Sequence, residues 1–285
     1  MLAFLNGIYI QEERAQISVF DRGYQFGDGV FETMRIYHSK YFLREAHLRR
    51  LYAGLDTLGI PMRFALEDLV RVTKDLVLKN HVIHGFARVV VSRGRSDFGL
   101  GTARQMVPTV LVVAKNREVL TPLEYEVGFR VIIAQRVFAA NQGLNEFKTI
   151  NYLPNIIAKR EAEKAGVEDA LLANTSGEII EGTASNVFFV KQGTLVCPPD
   201  LAGLNGITRQ TILEIAEKNE VPIQKRPITA EELYSSDEVF LTSSVQEIRG
   251  VVSVDQRPIG ECKVGPLTRQ FEVWYKESVK AGLKD

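Results

Sequence analysis

The chain carries an amine, a carboxylate, a guanidinium and a row of hydroxyls in settings where each could do chemistry. Lys148 lies in the stretch "NEFKTINYLPNIIAK", residues 145–159, followed at once by Thr149, Ile150, Asn151 and Tyr152. Pro154 suits the first turn of a helix, where its missing N–H would have no intrahelical partner. The pattern therefore predicts a helix from there to a stop at Gly166. An amine held just before a helix, among apolar and hydroxyl-bearing neighbours, is able to form a Schiff base or to shuttle protons. Taken alone, it reads first as an ordinary surface lysine, since most lysines are solvent-exposed.

Glu181 sits at a strand–turn junction in "EIIEGTASNVFFV" and reads either as a turn carboxylate or as a charge partner. In "LNGITRQTILEIA" a helix opens at Gly206, Ile207 and Thr208. Free N–H groups, a permissive glycine and a hydroxyl make an anion cradle there, or a plain threonine cap. Arg50 follows His47 on an earlier helix, and Thr242, Ser243 and Ser244 end an apolar strand in hydroxyls. Together these residues are the inventory a pyridoxal phosphate site needs: an amine for the aldehyde, a carboxylate for the ring nitrogen and donors for the phosphate.

The elements that must position them are legible in outline. "REAHLRRLYAGLDTLGIP" puts Leu48, Leu51, Leu55 and Leu58 on one helical face, and "LEDLVRVTKDLVLKN" is a second amphipathic helix. "MLAFLNGIYIQEER" reads as two strands joined at Asn6-Gly7, while "FARVVVSR" and "PTVLVVAK" are β-branched runs expected to be buried strands. After a polar, proline-bearing stretch come many short strands, a helix at "GITRQTILEIAEKNE" and a last helix at "PLTRQFEVWYKESVKAG". The expected fold is α+β in two domains: 1–115 a small N-terminal α/β domain, 116–126 a linker, and 127–285 a larger C-terminal domain round an antiparallel or barrel-like sheet.

Composition excludes several classes. The 285 residues hold 35 Lys plus Arg against 35 Asp plus Glu, so nothing draws the chain to nucleic acid or an acidic membrane. Cys197 and Cys262 are too few for a disulfide framework and lack zinc spacing, which leaves no metal site and points to free thiols in a reducing cytoplasm. No apolar run is long enough to span a bilayer, and the N-terminus has no basic start of the kind a signal peptide carries.

The ordered motifs "DRGYQFGDGVFETMR", "HLRRL", "KTINYLPNIIAKREAEKAG", "EGTASNVFFV", "GITRQTI" and "FLTSSVQEI" run nearly end to end. In them the chain resembles the fold type IV (class IV) pyridoxal-phosphate aminotransferases, a family that includes branched-chain and D-amino-acid aminotransferases and aminodeoxychorismate lyases. The resemblance implies pyridoxal 5′-phosphate as cofactor and Lys148, in the C-terminal domain, as the Schiff-base lysine and proton shuttle. It implies Glu181 as partner of the ring nitrogen and Tyr152 beside the phenolic oxygen. The phosphate would be held by Arg50, by the Gly206–Thr208 helix start, and by the Ser243–Ser244 hydroxyls.

Substrate signals are mixed. "YQFGDGVFE" looks like the D-amino-acid enzymes, yet the loop "RSDFGLGTARQM" lacks the histidine those enzymes use to trap the carboxylate. The same loop resembles that of bacterial branched-chain enzymes, whereas Thr33 and Ser185 replace residues usual in them and suit the lyases. The expected reaction is transfer of an amino group between a branched-chain or other apolar amino acid and a 2-oxo acid such as 2-oxoglutarate. Elimination on aminodeoxychorismate, transfer from a D-amino acid and a cofactor-free scaffold are the alternatives. Tyr24, Phe26 and Phe31 would line an apolar pocket or simply pack in the core, with Arg35 ordering the carboxylate side. The resemblance further implies a homodimer with shared sites, in which the loop bearing Arg95 and Phe98 reaches over the neighbouring subunit's pocket.

Overall fold

The computed structural model describes residues 1–96, 99–101, 106–139 and 147–284. The chain divides into two compact units.

The first unit comprises residues 1–119, 147–151 and 282–285. Its sheet is antiparallel throughout. Strands β1 (Leu2–Leu5) and β2 (Ile8–Gln11) form a hairpin across Asn6 and Gly7, both at positive φ, as a two-residue turn that follows the strand twist requires. Strands β3 (Gly29–Tyr37), β4 (Lys40–Phe42), β5 (Gly85–Ser92) and β6 (Thr109–Asn116) complete it, in the order β4-β3-β5-β6-β1-β2, and the C-terminal residues Leu283–Lys284 pair with β4 at the edge. A short helix α1 (Arg22–Phe26) precedes β3, and helices α2 (Arg44–Thr57) and α3 (Leu66–Lys79) cover one face.

Leu48, Leu51 and Leu55 of α2 are buried against Val30, Met34 and Ile36 of β3, and Val89, Val91, Val110 and Val112 join the same core. The expectation that β5 and β6 are buried on both faces needs correction. Burial alternates along both: Val90, Leu111 and Val113 are half-buried and Arg88 is exposed. Among the described residues of this unit α2 and α3 pack on one face of the sheet, so the β-branched run reports strand propensity more than burial.

The second unit comprises residues 120–146 and 152–281. It opens with α4 (Pro122–Val127), which begins inside the stretch expected to be linker because Thr121 and Glu124 cap each other reciprocally. Its strands are β7 (Phe129–Ile133), β8 (Asp169–Ala173), β9 (Ile179–Gly182), β10 (Asn186–Lys191), β11 (Thr194–Cys197), β12 (Ile223–Lys225), β13 (Glu238–Ser243), β14 (Glu247–Val254) and β15 (Arg257–Pro258). Strands β10-β13-β14-β7-β8-β9 follow one another in the sheet, and the pairing of Glu181 with Asn186 joins β9 back to β10. The sheet is thus a closed barrel, which removes the unpaired edges an open sheet would leave along that ring.

Alternate residues Val131, Ile133, Leu171, Val187, Phe189, Val239 and Leu241 form one core cluster. On the opposite face of β8, Ala170 and Leu172 pack with Ala158 and Ala162 of α5 (Leu153–Lys164), which stops at Ala165 and Gly166. Helices α6 (Ile207–Lys218), α7 (Ala230–Tyr234) and α8 (Pro266–Gly282) complete the unit.

Lys148 was expected within 127–285, but it groups with the first unit. The reason is backbone pairing. Phe31 N–H donates to the Lys148 carbonyl at 2.9 Å, Ile150 N–H donates to the Gly29 carbonyl at 3.1 Å, and Thr149 bridges Val30. Residues 147–151 are held as a short partner of the start of β3, with Phe147 sunk into the core beneath.

Candidate active site

In the first unit the site is built on the two faces of β3. The strand sends Val30, Met34 and Ile36 into the helix-covered core and turns Phe31, Thr33, Arg35 and Tyr37 to the other side. Phe31 is the meeting point. The Lys148 Nζ lies 4.7 Å from the centre of its ring and the Arg88 guanidinium lies 5.0 Å from it. Arg88 comes from β5, where it pairs with Thr33 in register, and its Nε donates to the Thr33 hydroxyl at 3.1 Å. One aromatic ring therefore carries an amine and a guanidinium.

Arg35 is 2% exposed, its Nε and Nη1 make no hydrogen bond among the described residues, and its guanidinium stacks 5.3 Å from the centre of the Tyr37 ring. Tyr24 and Phe26 are not beside Phe31 in the core: both belong to α1, where Tyr24 is 73% exposed and Phe26 faces the Arg22 guanidinium. Tyr24 and Phe26 thus lie on a short surface helix and Phe31 on the buried strand that follows it. Arg95 bridges Asp21 and lies over the Phe20 ring, and Phe98 lies outside the described residues.

Glu32 faces the helices, where a bare carboxylate would be costly. Arg50 Nε donates to its Oε1 at 2.6 Å and Nη2 to its Oε2 at 2.9 Å, while His47 Nδ1 stands 2.7 Å from Oε2. Burial pushes the Glu32 carboxyl up, but the Arg50 charge and the His47 contact outweigh it and hold the group down at about 2. His47 and Arg50 are three residues apart on α2, the spacing that puts two side chains on one helical face. Arg50 is thus braced by an anion of its own unit. The "DRG…GDG" motif is a second ionic brace: Asp28 accepts from Arg22 at 2.7 Å and from Arg93 at 2.8 Å, and Arg22 also donates to the Gly99 carbonyl at 2.8 Å.

In the second unit the site is the barrel rim. Glu181 of β9, Asn186 of β10 and Thr242 of β13 lie side by side on three neighbouring strands. The loop entering α6 is pressed against them: Leu204 N–H donates to Glu181 Oε2 at 3.3 Å, and Asn186 Nδ2 donates to the Leu204 carbonyl at 2.7 Å. A Cβ at Gly206 would stand 2.0 Å from Asn186 Oδ1, and one at Gly203 would stand 2.8 Å from the Ile180 side chain and 3.1 Å from Glu181 Oε2. Only glycine allows so close an approach.

Gly206 is the N-cap of α6 and supplies no side-chain cap, so the first N–H groups, those of Ile207 and Thr208 among them, are left for another acceptor. Thr208 is a buried second-position residue and not the cap. The Thr242 Oγ1 is buried without a hydrogen-bond partner among the described residues. Ser243 accepts from Gln246 N–H at 3.1 Å in the β13–β14 turn, where Ser244 follows. Tyr152 is the N-cap of α5. An uncapped helix start, close-packed glycines and an orphaned buried hydroxyl together fit a bound anion.

Sequence reasoning missed Glu32, Arg88 and Asn186. Glu32 was signalled by a carboxylate at a core-phase position of an apolar strand, with His47 and Arg50 correctly spaced to meet it. Arg88 was hidden because its place beside Thr33 depends on the β3–β5 register. Asn186 was visible only as the end of "EGTASN".

The model of the amino-transferase class IV family matches residues 29–254. A putative branched-chain-amino-acid aminotransferase of Methanocaldococcus jannaschii is 34% identical over 100% of this chain and 99% of its own length. A D-alanine aminotransferase of Bacillus licheniformis is 32% identical over 98% and 97% of the two chains. Among solved structures, a T.th. branched-chain amino acid aminotransferase with pyridoxamine 5′-phosphate superposes with a TM-score of 0.93 at 29% identity, covering 99% of this chain and 97% of that one.

Proposed function

The chain belongs to the class IV amino-transferase family and is a transaminase, and on that premise we propose that it moves an amino group between a branched-chain or other apolar amino acid and a 2-oxo acid such as 2-oxoglutarate. The observation that carries the reading is the Phe31 ring with Lys148 and Arg88 on it. The amine is where proton transfer is needed, and the guanidinium is a fork for a carboxylate.

Pyridoxal 5′-phosphate is the cofactor of this reading, and the uncapped α6 start with the orphaned Thr242 hydroxyl supports it. When bound, it supplies an electron sink for the charge left at the substrate's α-carbon. Lys148 holds the cofactor and relays the α-proton. Glu181 offers its anion to the ring nitrogen. Arg50, the Ile207 and Thr208 N–H groups, the Thr208 hydroxyl and Ser244 take the phosphate, and Tyr152 stands by the phenolic oxygen. Arg88 receives a substrate carboxylate, and Phe31 packs against the apolar side chain.

The working unit of this reading is a cytoplasmic homodimer. Support comes from Tyr24, Val19 and Leu100, which are 73%, 66% and 80% exposed, more apolar surface than a lone subunit needs near α1. Mixing inactive Lys148→Ala subunits with inactive subunits in which Arg95 and Phe98 of the loop are replaced by glycine and alanine tests the shared site. Recovery of activity on subunit exchange is expected, and none after proven exchange contradicts it. The substrate is tested by a donor screen with L and D amino acids against 2-oxoglutarate and pyruvate, beside an aminodeoxychorismate elimination assay. L-leucine, L-isoleucine or L-valine should be the best donor. A preference for D-alanine would move the assignment toward the second of the relatives above.

A further inference from the structure

We propose that Asn186 is a positioning residue that fixes the start of α6 relative to the Glu181 carboxylate; this rests on the cofactor reading of Glu181 and Thr208. The loop from β11 to α6 is fastened at two places. On one side Arg209, 4% exposed, donates from Nη2 to the Pro198 carbonyl at 2.9 Å and from Nη1 to Asp200 at 2.8 Å and Asn205 at 3.3 Å. On the other side Leu204 is gripped through both of its peptide groups, its N–H by Glu181 and its carbonyl by Asn186.

Glu181 and Asn186 are themselves backbone partners across the β9–β10 closure, so the two grips share one rigid base. That base is tied from below, where the Thr183 hydroxyl donates to buried Asp169 at 2.5 Å and Asn155 Nδ2 donates to the Thr183 carbonyl at 2.9 Å. The Asn186 amide thus does two jobs. Its Nδ2 holds Leu204, and its Oδ1 is the wall against which Gly206, the N-cap of α6, is seated. Without it the grip on Leu204 at the rim falls back on a 3.3 Å contact from Glu181, and the helix start and the carboxylate can move independently.

The test uses the full-length protein stripped of cofactor and titrated with pyridoxal 5′-phosphate. Asn186→Ala should still fold cooperatively without cofactor, at a somewhat lower denaturant midpoint because the Leu204 carbonyl loses its donor, yet bind the cofactor about tenfold more weakly and release it faster. At saturating cofactor its KM for the amino donor should be unchanged, a split that general destabilisation would not produce. Gly206→Ala, which drives a methyl into Asn186 Oδ1, should weaken binding similarly, and part of that loss should disappear in the Asn186→Ala background. Equal cofactor affinity in a folded Asn186→Ala overturns the inference, as does an additive double variant should Asn186→Ala fold poorly. A wild type that takes up no pyridoxal phosphate overturns the cofactor reading, and this inference with it.

Discussion

The two units hold their functional residues by different physics. In the first, charge does the holding: Glu32 is clasped by Arg50 and His47, and Asp28 by Arg22 and Arg93. In the barrel, the rim is set by close backbone approach at Gly203 and Gly206 and by one amide on Leu204. The first arrangement should be sensitive to protonation and to loss of a partner. The second should be nearly indifferent to pH and intolerant of a single methyl.

The largest effect is expected for Arg50→Ala. Removing one partner of a buried pair leaves the other charge stranded, which costs about 3–5 kcal/mol. Denaturant unfolding of the cofactor-free protein should show that loss, and cofactor retention should fall as well. A variant of wild-type stability would mean that the clasp on Glu32 is energetically idle.

Protonation probes the same clasp. The Glu32 carboxyl lies at about 2 in the fold against an ordinary 4.5, so its stabilisation is complete above 4.5 and is lost as pH falls toward 2. The amount is on the order of 3 kcal/mol at about 1.4 kcal/mol per pH unit. Glu32→Gln should therefore flatten the acid limb of the stability–pH curve in that window. An unchanged acid limb would count against the clasp.

The steric side of the comparison is tested by Gly203→Ala. A methyl 2.8 Å from Ile180 must displace it or the loop. Overpacking of this sort costs about 1–3 kcal/mol, and because the clash is steric the loss should persist unaltered from about pH 5 to about pH 8. A loss that varies across that range would blur the distinction between the units.

A contrasting case is a buried acid in the barrel unit that has cations near it but no clasp. Burial drives Glu272 up to about 7, with Lys276, Arg269 and Arg249 pulling the other way, and its Oε1 has no hydrogen-bond partner among the described residues. Its sign is opposite to that of Glu32: the stabilisation is whole below 4.5 and lost as pH rises through about 7. Glu272→Gln should remove this decline between about pH 4.5 and about pH 7, read as a stability–pH curve that is flat across that window.

Much of this was legible in the sequence where the information was local. Asn6-Gly7 sets a hairpin, Pro154 and Gly166 bracket α5, and the Leu48–Leu51–Leu55 face predicts the helix that packs on β3. The motif order indicated the family. What could not be read was pairing between distant strands. The capture of residues 147–151 by Gly29 and Phe31, the meeting of Arg88 with Thr33, and the closure of the barrel through Glu181 and Asn186 all depend on register. The placing of the three aromatics was hidden for a related reason. Tyr24, Phe26 and Phe31 are close in the chain, but α1 ends at Gly27 in a left-handed turn and β3 then heads into the core.

The central claim is that Lys148 is the residue that holds the cofactor. Reducing the pyridoxal-phosphate-loaded protein with borohydride, digesting it and mapping the modified peptide tests it most directly. The account predicts one adduct, on the peptide carrying Lys148, and none in Lys148→Ala. An adduct on any other lysine, or the same adduct yield after Lys148→Ala, would contradict it.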